Sequence, residues 1–366
     1  MDTGFINRPM SIALDLVRAG AAFAVLAGHA AQMKIYTGSW PFSALLQHDA
    51  VVVFFVLSGL VIASSTERNR TNLLNYTVAR CARILPLALF ATVFSVTAFC
   101  IAASLAPHPP IPSEYDHLQA RIVLPLFFSS ETRSGLGALW NSPYWSLCYE
   151  AWYYALFAAA FFLRGRRRAV SLATLAFLAG FRVLLLFPIW MMGVWLARAR
   201  VQRKLNSLTM FFCPVIGLLL VQLANFGAEP VKAKLLVISE LSPADLRFSE
   251  HVLTDLLLGL GVTLCFIGLR LLADEWTGLL ERCEPPIRYA AGMSFTLYML
   301  HWPMLRLLKS FSISAGDSLL LFVVFLIGIC ALCAAIASLI ERKQAYLRQA
   351  ISRLLPAPGP PDALTA

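Results

Sequence analysis

An arginine and a histidine stand eleven residues apart in the first apolar run of the chain, Arg18 and His29. Eleven residues of helix rise about 16 Å over about three turns, so the two side chains share a face. An ionisable group inside hydrocarbon is costly and marks a functional position by default. The neighbours Ala19, Gly20, Ala21, Ala22 and Gly28 are small, which suits a helix packed among others rather than one facing lipid. Glu150 lies in Trp145-Ser146-Leu147-Cys148-Tyr149-Glu150, and His301 in Tyr298-Met299-Leu300-His301-Trp302-Pro303. With these runs read as helices, His29, Glu150 and His301 share a depth about 6–10 Å below one surface. A histidine beside a carboxylate is the usual general-base pairing, so one layer holding all three points to proton transfer. The plainer alternatives are a snorkelling Arg18 and separate structural hydrogen bonds. Arg80 and Arg83 form an RxxR just before Pro86, and arginines one turn apart can clamp phosphate.

The elements that must position these residues are transmembrane helices. The chain has 366 residues, 59% of them hydrophobic and only 14% charged. Mean hydropathy is +0.71. Soluble domains carry roughly a quarter charged residues, so lipid is the expected solvent for much of this surface. Apolar runs at 11–33, 44–64, 84–106, 143–163, 169–184, 186–198, 207–226, 252–272, 289–308 and 317–340 predict about ten spans around a buried polar site. The fifth and sixth are short, and Arg182 and Pro188 interrupt them. They read as one kinked span or two short ones.

The net charge of +10 does not point to nucleic acid, because the basic residues lie in short runs between apolar segments. Arg68, Arg70, Arg80 and Arg83 fall in 65–83, Arg164 and Arg166 to Arg168 follow the fourth span, and Arg198, Arg200, Arg203 and Lys204 follow the sixth. With ten spans, all of these and the basic tail fall on the cytoplasmic side together with both termini. Keeping spans five and six separate is what holds 198–204 inside. The segment 273–288 is mildly acidic yet must also be inside, and fits poorly.

The eight cysteines are scattered and suggest no disulfide framework, and Cys330 and Cys333 lie in an apolar run where small residues serve packing. No metal site is expected. The first run, Ser11 to Met33, is too long for a signal peptide core and carries Asp15 and Arg18, so no cleavable signal is expected. Residues 1–345 read as one transmembrane domain with no fused soluble domain. The Pro- and Ala-rich tail within 346–366 is expected to be disordered.

Five segments resemble the membrane acyltransferase family 3, the O-antigen and exopolysaccharide O-acetyltransferase type. They are Leu14-Asp15-Leu16-Val17-Arg18 running to His29, Phe54-Phe55-Val56-Leu57-Ser58-Gly59, Arg80-Cys81-Ala82-Arg83-Ile84-Leu85-Pro86, Trp145 to Glu150 with Tyr153 and Tyr154, and Gly292 to Pro303. They occur in the family's order across residues 12 to about 310. The resemblance implies a bacterial plasma-membrane enzyme that moves an acyl group, by default acetyl, from cytoplasmic acyl-CoA to a hydroxyl of a cell-surface or lipid-linked glycan.

By the same resemblance, His29 matches the catalytic histidine and Glu150 the acid of the tryptophan–serine motif. Arg18, Arg80 and Arg83 match positions linked to acyl-CoA use. His301, Ser146, Tyr298 and Trp145 are expected on the acceptor side. One departure is Val52, where many relatives carry an acidic or polar residue; His48 and Asp49 lie just upstream. The rise from Arg18 to His29 is close to the reach of an extended pantetheine arm, with Glu150 preferred to Asp15 as the group that orients His29. A transporter for lipid-linked sugars would share midplane polar groups, but no internal repeat is visible.

Overall fold

A computed structural model describes residues 4–199 and 207–340, and it is all-α. The helices are α1 (Arg8–Gln32), α2 (Leu46–Arg68), α3 (Leu73–Leu105), α4 (Leu118–Leu126), α5 (Tyr144–Phe162), α6 (Gly165–Ala179) and α7 (Phe181–Arg198). They continue as α8 (Ser207–Ser239), α9 (Pro243–Leu246), α10 (Val252–Glu275), α11 (Thr277–Arg282), α12 (Glu284–Ser310) and α13 (Leu319–Ile340). By length and composition, seven helices can cross a membrane: α1, α2, α3, α7, α8, α10 and α13. The molecule is therefore a multi-pass membrane protein. Helices α5, α6 and α12 stand at the other three expected spans and do not meet the same measure. Arg200, Arg203, Lys204 and the tail from 346 lie outside the described residues.

Local chemistry sets the ends. Asn7 caps α1 by accepting from the Met10 amide at 3.0 Å, with Pro9 in the first turn. Asn72 caps α3 by accepting from the Asn75 amide at 2.8 Å. Helix α3 therefore starts well before the expected span at 84, and Pro86 sits inside it. Membrane helices tolerate such prolines because neighbours re-satisfy the freed backbone groups. Gly180, at φ +82°, divides α6 from α7, which makes spans five and six separate helices. Helix α8 runs on to Ser239, well past the expected end of its span at 226.

Helices meet closely where the sequence supplies glycine. A Cβ on Gly59 would lie 2.0 Å from the Trp190 carbonyl oxygen, and one on Gly193 would lie 1.9 Å from that of Val56. The backbones of α2 and α7 thus touch, the geometry small residues permit in lipid. Helices α1 and α12 run side by side in one direction. Asp15 bonds Arg288 near their starts, and His29 bonds His301 near their ends.

The acidic stretch before α12 is explained by its partners. Asp274 accepts from Asn7 at 2.7 Å and pairs with Arg270, while Arg8 pairs with Glu281 at 3.4 Å and Glu284 at 3.0 Å. Three of the four carboxylates of 273–288, Asp274, Glu281 and Glu284, are matched by arginines from α1, α10 and α12, so the segment need not carry a positive excess to face the same side as Arg8.

Candidate active site

Three cavities follow one another through the bundle. The inner chamber, about 760 Å³, is lined by Arg8, Arg18, Arg68, Arg83 and Arg288 against two carboxylates, Asp15 and Glu67. Arg18, Val61 and Arg83 also line the next cavity, a narrow channel of about 70 Å³ whose walls are mostly apolar. Val51 and Tyr298 line both that channel and an outer chamber of about 170 Å³, where His29 stands. Arg18 and His29 thus open on opposite ends of a single succession of cavities.

The hydrogen bonding of His29 fixes its chemistry. His301 is fully buried, and its Nδ1 lies 3.0 Å from the Leu297 carbonyl oxygen. A carbonyl only accepts, so Nδ1 of His301 carries a proton, and in the neutral ring Nε2 is bare. His29 Nδ1 lies 2.9 Å from that Nε2 and must donate to it. His29 Nε2 then carries the free lone pair. The two rings are nearly coplanar, at 10°, and Trp302 packs edge-on against His29 with centroids 4.8 Å apart. This chain of carbonyl, imidazole and imidazole presents one basic nitrogen.

Glu150 is elsewhere. It accepts from Ser58 Oγ and from the Tyr154 hydroxyl, each at 2.5 Å, on the channel wall. Equal depth predicts Glu150 as the group that orients His29, but the bond to His29 Nδ1 is made by His301. Depth along a helix says nothing about azimuth, and α5 turns Glu150 toward α2. Asp15, the other candidate, is at the inner end, bonded to Arg18 at 2.9 Å and to Arg288.

Ser146 and Tyr298 meet at 2.6 Å where channel and outer chamber join, and both hydroxyls lie within reach of the Pro143 carbonyl, at 3.2 and 3.1 Å. Each hydroxyl has one proton, so one donates to Pro143 and the other donates to its neighbour. Trp145 lines the outer chamber, stacked on Phe248 at 4.7 Å.

The RxxR pair does not act as one clamp. Arg83 lines the inner chamber and the channel. Arg80 lies over the rings of Tyr76 and Tyr154, at 5.9 and 5.8 Å, in an apolar groove between α3, α5 and α6 that shares Ile84 and Tyr154 with the channel. Three residues set the two side chains about 60° apart around α3, and at that offset Arg80 falls in the groove while Arg83 falls in the channel and chamber.

Several site residues were not anticipated. Arg288 joins the inner chamber from the start of α12. In the outer chamber His48 Nε2 bonds Asp255 Oδ1 at 2.9 Å, although Val52, one turn further along α2, is buried and apolar. The His48-Asp49 dipeptide was a visible signal, whereas Asp255 comes from a helix 200 residues away. Arg247 also lines that chamber and pairs with Glu131 at 3.2 Å. Glu131 lies in the segment before α5 and is 1% exposed. Its burial pushes the carboxyl up to about 7, against the pull of Arg247 and Arg182. No group of three or more His, Cys, Asp and Glu side chains gathers at metal-ligand spacing among the described residues.

The sequence profile of a family described as an acyltransferase domain matches residues 11–338. The chain belongs to that family, the membrane acyltransferase family 3. No curated protein and no solved structure matches it. The matched region contains all three cavities apart from the first residues of the inner chamber. This membrane acyltransferase thus has its histidine pair, its channel and most of its arginine-lined chamber within the family's own span.

Proposed function

We propose that the protein is an acyl-CoA-dependent O-acyltransferase of the bacterial plasma membrane, with both termini cytoplasmic. It takes an acyl group, acetyl in the first instance, from cytoplasmic acyl-CoA and passes it to a hydroxyl of a cell-surface or lipid-linked glycan. The observation that carries this reading is the succession of cavities from five arginines to His29. A phosphorylated carrier suits the arginines, a slender arm suits the channel, and a hydroxylated acceptor suits the outer chamber with its indole and imidazole walls.

The chemistry then follows from His29. Its Nε2 takes the hydroxyl proton as the oxygen attacks the thioester carbonyl carbon. The carbon–sulfur bond breaks, and His29 returns the proton to the leaving sulfur. His301 holds the imidazole in the required tautomer. Ser146 and Tyr298, at the join of channel and chamber, are placed to meet the thioester end. Trp145 forms part of the acceptor wall. Glu150 holds Ser58 and Tyr154 as a polar stretch of the channel past which the amides of the arm run.

The test is transfer from labelled acetyl-CoA in membranes carrying wild type or His29→Ala at matched levels, with surface glycans weighed by mass spectrometry. A gain of acetyl mass with wild type and its absence with the variant is expected. Equal acetylation by both would remove His29 from the reaction.

A further inference from the structure

The inner chamber holds cations of two kinds. Arg8, Arg18 and Arg288 are tied to carboxylates: Arg8 to Glu281 and Glu284, Arg18 to Asp15, and Arg288 to Asp15 and Glu284. Among the described residues, Arg68 and Arg83 have no carboxylate at ion-pair distance. Glu67 lies next to Arg68 and also lines the chamber, but Arg198 holds it at 2.8 Å.

The two free arginines stand at different ends of the chamber. Arg83 is at the neck, because it lines both the chamber and the channel. Arg68 lines the chamber alone. Helix α2 gives the separation. Val61 is at the neck, lining both cavities, and Arg68 is seven residues further along the same helix. Seven residues are about 10 Å of rise and close to two full turns, so Arg68 lies below Val61 on the same face, toward the inner mouth. A single phosphate group cannot serve both ends. An anion with two separate phosphate positions can, once the length of two arginine side chains is allowed for.

We infer that the inner chamber reads two phosphate positions of its donor, with Arg83 at the diphosphate by the neck and Arg68 at the 3′-phosphate of the ribose near the mouth. This rests on the acyl-CoA reading above and adds to it a selection against donors that lack the 3′-phosphate. Arg68 is at the end of α2 and exposed, so its replacement leaves the helix contacts with α7 and α1 in place. The ordinary role for such a residue is a cytoplasmic charge beside lipid headgroups, which would give no preference among nucleotides.

The experiment is calorimetric titration of the purified full chain with CoA and with dephospho-CoA at low ionic strength. Wild type is expected to bind CoA about ten- to a hundredfold more tightly, the worth of one charge-assisted contact. Arg68→Ala is expected to bring that ratio close to one by weakening CoA binding. Arg83→Ala should weaken both ligands and keep the ratio. Equal binding of the two by wild type, or an unchanged ratio in Arg68→Ala, overturns the inference while leaving the acyl-CoA reading intact. If wild type binds neither nucleotide, the acyl-CoA reading itself falls and the inference with it.

Discussion

His29 Nδ1 lies 2.9 Å from His301 Nε2, and a backbone carbonyl on the far side of His301 sets the direction in which the protons point. The pair resembles a histidine and its orienting acid in outline, but the orienting group is a neutral imidazole. It fixes a tautomer without adding a charge.

That arrangement sets an order among variants. His29→Ala should lose roughly 10²–10⁴-fold in transfer rate, the usual contribution of a general base. His301→Ala removes one neutral hydrogen bond and should cost about tenfold. His301→Gln, whose amide oxygen can still accept from Nδ1, should recover part of that loss. Rates for acetyl transfer at matched protein levels decide it, and equal activity of the Ala and Gln variants at position 301 would show that the hydrogen bond is not what matters.

The division of the RxxR pair can be read in donor kinetics. Arg83→Ala should raise the apparent KM for acetyl-CoA by about ten- to a hundredfold, because a charge-assisted contact is worth about 1.5–3 kcal/mol. Arg80→Ala should leave that KM within a factor of a few, since Arg80 lies in a different cavity from Arg83. Comparable KM increases in the two variants would return Arg80 to the donor site.

Backbone contact between α2 and α7 makes a sharp stability contrast. Gly193→Ala would put a Cβ 1.9 Å from the Val56 carbonyl oxygen and force the helices apart. A loss of about 3 kcal/mol is expected, the upper end of overpacking. Gly20→Ala meets nothing within 4 Å and should be neutral or slightly stabilising. Thermal unfolding in detergent, or surviving fraction after heating, separates the two. Similar midpoints for both would mean the close approach relaxes without cost.

Glu131 gives the outer end a pH dependence with a definite sign. Its carboxyl is held at about 7 in the fold against an ordinary 4.5, so the folded state binds the proton more tightly than the unfolded chain. The stability this provides is complete below about 4.5 and is lost as pH rises toward 7. Its size is about 3 kcal/mol at most, since one pKa unit is about 1.4 kcal/mol. Unfolding midpoints measured from pH 5 to 8 should fall through that window in wild type, and Glu131→Gln should flatten the trend. A midpoint that rises with pH in wild type, and no longer does so in the variant, would mean the pairing with Arg247 outweighs burial.

Hydrophobic period and charge runs are local properties, and they were enough for the all-α membrane architecture and for placing helices at each expected run. The same-face relation of Arg18 and His29 was legible because it depends only on the helical repeat within α1. Gly180 shows the limit of that reading, since a break between two short apolar runs is decided by one glycine at positive φ. What joins one helix to another was not legible. The partner of His29, the separation of Arg80 from Arg83, and the His48–Asp255 bond all depend on which azimuth each helix turns to its neighbours. That choice comes from contacts such as Gly59 against Trp190 and Asp15 against Arg288, between residues far apart in the chain. Depth along a span could bring Glu150 level with His29, but the packing of α5 against its neighbours turned it to Ser58 and Tyr154.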